Sequence, residues 1–270
     1  MEWKKIKTIL IVFLLLANAM LGGLYLQRIQ ETEQTETDAS VHLVSLLKTR
    51  GVTLDPQLVV FCLDLSARPL YIQRDTTIEK MWVSRWIGDA ALTVLPDQTN
   101  VYRSDEGAVT VYTDGKMDIV RQSPAPATRT DVRENLSAFL GGLTDGKPSQ
   151  MELRDGDTVA WPQTADGLPV FDAELTVRHR DGGLLGASGT ALLGQIFWGE
   201  ESVIPSVSLP LLRYFSRDES SAVHIEQMTL GYLSSPLKNN VTRLWPVWRL
   251  TVDGRILYLD AYTGEAKMVS

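Results

Sequence analysis

The chain has 270 residues, of which 44% are hydrophobic and 22% charged, and a net charge of −7. That composition is ordinary for a globular protein and excludes wholesale disorder. The length suits one large domain or two of about 100–130 residues. The acidic balance argues against nucleic acid or anionic lipid headgroups as partners held by bulk electrostatics.

From Thr8 to Gln27 no residue carries a charge, and the 20-residue stretch is rich in Leu, Ile and Val. A helix rising about 1.5 Å per residue would cover roughly 30 Å there, the thickness of a bilayer's hydrocarbon core. Residues 8–27 are therefore expected to form a transmembrane helix. Lys4, Lys5 and Lys7 precede it, while only Arg28 closely follows, ahead of Glu31, Glu33, Glu36 and Asp38. The positive-inside bias then makes residues 1–7 a cytoplasmic tail of a single-pass cell-membrane protein with its bulk outside the cell. A cleaved signal peptide is the competing reading, because Ala17, Asn18 and Ala19 spell an A-x-A-like site. Against it, the apolar run continues through Met20, Leu21, Leu24, Tyr25 and Leu26. Either way the bulk is exported. Residues 1–26 contribute +2 (three Lys less Glu2), which leaves −9 for the remainder.

Residues 28–51 are expected as a juxtamembrane helix, with Val41, Leu43, Val44, Leu46 and Leu47 at near-helical spacing and Gly51 as its C-terminal cap. Residues 52–122 form an N-terminal α+β module in this reading. It holds strands at 58–65 and 69–73, a Trp-bearing helix at 78–87, and two hairpins that turn at Asp105–Gly107 and Asp114–Gly115. Cys62, the only cysteine, sits among Val59, Val60, Phe61 and Leu63 and reads as a small buried hydrophobe. Residues 123–127, with Pro124 and Pro126, mark the best linker.

Residues 128–270 are expected as a C-terminal α+β region of two helix–strand–strand–strand units. The first takes a helix at 130–140 and strands at 151–153, 170–177 and 184–192. The second takes a helix at 208–214 and strands at 223–233, 247–252 and 256–259. Pro169, Val170, Phe171 and Leu175, Thr176, Val177 are echoed by Pro246, Val247, Trp248 and Leu250, Thr251, Val252. The fold class expected is thus α+β, an N-terminal transmembrane helix followed by tandem modules of a helix packed on an antiparallel sheet.

Catalytic patterns are sparse. His42, His179 and His224 stand apart, none at metalloprotease spacing. Gly186, Ala187, Ser188, Gly189 superficially resembles a nucleophile elbow, but Thr190 occupies the final glycine position. Ser45 and Lys48 fit S-x-x-K without the companion motifs, and Glu200 and Glu201 read as a solvated pair in a loop. The seven tryptophans and eight tyrosines read chiefly as packing residues. No enzyme, metal or cofactor is implied. The candidate site is a partner-binding face within the span: Asn18 is a polar amide, Ala19 and Gly23 form a small-xxx-small pair, and Gly22 lies four residues after Asn18.

Met1, Glu2, Trp3, Lys4, then Ile6, Lys7, Thr8 and Ile9 running into the apolar span, resemble the opening of the YycI proteins of Gram-positive bacteria. Pro246–Gly254, then Tyr258, Leu259, Asp260, Ala261, Tyr262, Thr263, Gly264 and Glu265, resemble the closing hairpin of a PepSY-type module. The resemblance covers about 40 residues at the two ends. It implies a non-enzymatic accessory regulator that acts with a YycH-like protein on a sensor histidine kinase of the YycG (WalK) type, governing cell-wall metabolism through its membrane helix and ectodomain. The alternative it leaves open is an exported PepSY-type inhibitor or binding module for a peptidase or cell-wall hydrolase.

Overall fold

The computed structural model describes Met20 and residues 40–63, 65–125, 131–140, 151–200, 202–216, 222–237 and 240–268. The early chain supplies helix α1 (residues 40–49), strand β1 (Val52–Leu54), helix α2 (Pro56–Leu63) and strand β2 (Leu70–Arg74). Next come α3 (Thr76–Ile87), the meander β3 (Ala91–Val94), β4 (Asn100–Ser104), β5 (Gly107–Val111) and β6 (Lys116–Arg121), and α4 (Val132–Leu140). β7 (Glu152–Arg154), β8 (Thr158–Ala165), β9 (Leu168–Arg180) and β10 (Gly183–Thr190) follow. The chain ends its described course through β11 (Gly194–Trp198), α5 (Ser208–Phe215), β12 (Val223–Pro236), β13 (Val241–Val252), β14 (Arg255–Asp260) and β15 (Ala266–Lys267).

Two hydrophobic cores divide these elements in a nested order. Leu43 and Leu47 of α1, Val59 and Cys62 of α2, and Leu70 and Ile72 of β2 share one core with Leu211 of α5, Tyr232 of β12 and Trp248 of β13. The second core is built from the intervening chain, with Trp82 and Trp86 of α3, Tyr102, Val109 and Ile119 of the meander, Leu136 of α4 and Trp161 of β8. Strand β9 belongs to both, because Val170 and Ala173 enter the first core and Leu175 and Val177 the second. The 52–122 tract thus divides between the cores near Asp75, and Ala125, inside the proline-bearing 123–127 segment, is buried in the second.

Local chemistry accounts for the elements. Asp75 caps α3 by accepting from the Thr77 N–H at 2.7 Å, and Gly88 ends the helix at φ 66°. Its buried residues, Glu79, Trp82, Val83, Trp86 and Ile87, recur at the i, i+3, i+4, i+7, i+8 spacing of one helical face. Asp-Gly pairs with positive φ at 166–167, 181–182 and 253–254 turn β8 into β9, β9 into β10 and β13 into β14, as two-residue hairpins require, and the pair at 155–156 opens the three-residue turn from β7 into β8.

The expected fold class is corrected. Of the described residues 48% lie in strands and 23% in helices. The strands join into one large mixed sheet along the path β11-β2-β13-β12-β9-β10-β6-β5-β4-β3, with β1 and β9 parallel to β12. The tandem-module reading underestimated strand content because β1, β3, β8 and β11 interrupt or extend the units it counted, and because the 13-residue β9 ties both halves together. In the other direction, the segment read as a strand at 58–65 is α2. Asp55 accepts from the Gln57 N–H at 2.9 Å and Pro56 opens the first turn, a start signal that outweighs the β-branched Val59 and Val60.

The single-pass membrane topology is corrected as well. No helix among the described residues is long and apolar enough to cross a membrane. The longest helix among the described residues, α3, has 12 residues, about 18 Å of rise against the roughly 30 Å a span needs. The anchor rested on the run 8–27, of which Met20 alone lies within the described residues. The candidate face of Asn18, Ala19, Gly22 and Gly23 lies outside them.

Candidate functional site

Strand β11 ends the sheet path and pairs on one side only, antiparallel to β2. Gly194 lets it lie close, since a Cβ there would meet the Gln73 carbonyl oxygen at 2.2 Å. Just past the strand, the Gly199 N–H donates to the Pro69 carbonyl at 2.8 Å. That bond sets the alternation of an antiparallel ladder: Gln195 and Phe197 turn their backbone groups toward β2, while those of Ile196 and Trp198 point outward. Among the described residues no strand covers that outer edge.

The side chains are as open as the backbone. Ile196, Phe197 and Trp198 are 47%, 50% and 59% exposed. Ile196 stands beside Ile72 and Trp198 beside Leu70, and both β2 residues are core members. The apolar face of the first core therefore runs past the end of the covered sheet. On the other face Phe197 neighbours Tyr71, and Gln195 neighbours Gln73. The Arg68 guanidinium lies 5.5 Å from the Trp198 ring centre, and Tyr71, Trp198, Gly199 and Glu200 line an open hollow of about 560 Å³.

The residues singled out for chemistry do not converge. His42, Ser45 and Lys48 are exposed on α1. His224 Nδ1 lies 3.1 Å from Thr53 Oγ1, and Nε2 of His179 on β9 is buried without a partner among the described residues. Ser188 is on β10, paired between Asp118 and Thr176. Glu200 borders the hollow beside Trp198, and Glu201 lies outside the described residues. Among the described residues no three His, Cys, Asp or Glu side chains are grouped to hold a metal ion.

A buried charged network lies where the cores meet. Glu79 is fully buried and accepts from Arg74 Nε at 2.6 Å, Asn100 Nδ2 at 2.8 Å and the Tyr102 hydroxyl at 2.8 Å. Burial, reinforced by the bond to Glu79, raises the Tyr102 phenol well above its ordinary pKa. Both Glu79 oxygens are occupied, so the network joins elements of α3, β2 and β4 rather than offering a reactive group. The adjoining cleft, lined by Arg74, Asp114, Thr190, Ser234 and Asn240 among others, leaves about 40 Å³ for water-sized occupants. That holds a few waters and falls far below the roughly 300–1,000 Å³ of small-molecule sites.

No family model matches the chain, and no curated protein matches it. The resemblance to YycI and PepSY-type proteins therefore gains no support beyond the residues that carry it, and the membrane topology attached to it is corrected above. Among solved structures, an uncharacterized protein from Eubacterium rectale ATCC 33656 is similar at 12% identity and a TM-score of 0.46, over 76% of this chain and 87% of that one.

Proposed function

We propose that this chain is a non-enzymatic accessory regulator that works by binding other proteins, with β11 as its docking element. The observation that carries the reading is the run Ile196, Phe197, Trp198, exposed on an edge strand without charge or proline. Sheet edges in isolated proteins are blunted by charge, proline, a bulge or a covering element, because the open ladder otherwise recruits another strand. β11 has an open ladder, apolar side chains on both faces and an anchoring hollow at its end, which is the equipment of strand addition. The narrow central cleft and the scattered histidines favour binding over catalysis.

The expected partner, a sensor histidine kinase of the YycG (WalK) type together with a YycH-like protein, comes from the resemblance of residues 1–9. The experiment is site-specific photo-crosslinking in the producing cell, with the crosslinking residue at position 197 and, as control, at position 61 of α2, where Phe61 is also exposed. A histidine kinase captured from 197 and not from 61 is the expected result. Absence of any adduct at 197, or equal capture at both positions, would refute the reading.

A further inference from the structure

We infer that β11 pairs with β11 of a second copy of this chain, antiparallel, about a two-fold axis through Phe197; the inference rests on β11 being the docking element. In that register Ile196 lies opposite Trp198 of the second copy, and Phe197 lies opposite its counterpart. The outward N–H and C=O of Ile196 meet the C=O and N–H of Trp198 across the axis, and the symmetry repeats the exchange. Every outward backbone group of those two residues is then satisfied by the other copy.

The side chains agree with the backbone. On the core-side face an Ile–Trp pair forms twice, and on the other face the two Phe197 rings meet, the aromatic and aliphatic pairings that stabilise neighbouring strands. Charge selects the same place. A chain of net charge −7 repels its own copy in general, yet residues 194–198 carry no charge, so the edge is where two copies approach without like charges opposed.

Three side chains at about half exposure contribute on the order of 300 Å² per copy, taking about 150–250 Å² for a buried aromatic. A stable complex buries about 800 Å² per partner, so this pairing is weak and reversible. The opposite end of the sheet path, β3, is also exposed, with Leu92 and Val94 open to solvent. Joining β11 to β3 would be heterologous and would build an open polymer rather than a dimer; the self-complementary register of β11 closes at two.

The test is sedimentation equilibrium of the full chain across micromolar to near-millimolar concentration. The weight-average mass is expected to rise toward twice the monomer mass and to stop there. Ile196→Lys and Trp198→Lys, both at exposed positions, are each expected to raise the concentration needed for association by at least about 10-fold, with unchanged circular dichroism. Phe197→Cys provides a geometric readout. A non-hydrogen-bonded antiparallel pair sets the Cα atoms about 4.5 Å apart, within the range a disulfide bridges, so mild oxidation should link two copies. Phe61→Cys should not link, and the native Cys62 is buried and does not compete. A monomer at all concentrations, a dimer indifferent to both lysines, masses beyond the dimer, or equal linkage at 61 and 197 would each overturn the inference. A monomer that still yields a kinase adduct at 197 would sink self-pairing and leave the docking role intact; neither dimer nor adduct would sink both.

Discussion

Glu79→Ala should be among the most costly single substitutions in this protein, although it removes few apolar atoms. The carboxylate is the acceptor for three donors: the Arg74 guanidinium, the Asn100 amide and the Tyr102 hydroxyl. Removing one member of a buried ion pair costs about 3–5 kcal/mol, because the other charge stays desolvated. Arg74 keeps 13% side-chain exposure, so water reaches the stranded guanidinium and the cost falls near about 3 kcal/mol. At about 2–4 °C per kcal/mol for a protein of this size class, the melting midpoint should drop by about 6–12 °C. The assay is urea unfolding of Glu79→Ala, Arg74→Met and the double variant. The double variant should fall short of additivity by on the order of 2 kcal/mol, since each single change strands the other's charge. A Glu79→Ala loss under about 1 kcal/mol, or strict additivity, would refute the argument that this pair holds the junction of the cores.

Burial raises the Asp260 carboxyl, but the N–H groups of Thr263, Trp245 and Tyr262, aided by Lys267, pull it below its ordinary 3.8. A lowered folded pKa means that the unfolded chain takes the proton first, so this stabilisation is complete above about pH 4 and is lost as pH falls further; urea titrations should show a steeper acid decline for wild type than for Asp260→Asn. The Cys62 thiol, pushed by burial to about 11, should react with a disulfide reagent at pH 8 roughly 100-fold more slowly in the folded than in the unfolded chain, and comparable rates would contradict its burial. Gly194→Val should drive β11 off β2, since its Cβ meets the Gln73 carbonyl, and expose a chymotryptic cut after Phe197 or Trp198; an unchanged digestion pattern would show that the strand tolerates the side chain.

Individual elements differed in how plainly the sequence announced them. α3 was legible because its apolar spacing and its Asp75 and Gly88 caps agree, and the meander because its turns carry Asp and Gly. α2 misled because Val59 and Val60 favour strands in isolation, whereas Asp55–Pro56 fixes the first helical turn. β8 was missed although Asp-Gly pairs flank it at 155–156 and 166–167, a signal sufficient to find it. The docking edge was half legible. Ile196, Phe197 and Trp198 between Gly194 and Gly199 form a short apolar run that reads as a buried strand or none. Its exposure depends on no strand among the described residues covering the far side, which is a property of sheet order and is absent from any local pattern.

The nesting of one core within the other bears on the order in which the protein assembles. Ile72 must find Ile196 and Thr242, partners that lie beyond the whole second core in the chain. A chain emerging from the ribosome can therefore close the second core once β10 is made, while α1, α2 and β2 wait with apolar faces unburied for the final strands. Closing so distant a pairing is slow, and the waiting surface is where misassociation begins. Truncation ahead of β13 should leave a chain whose middle is folded and whose beginning is not.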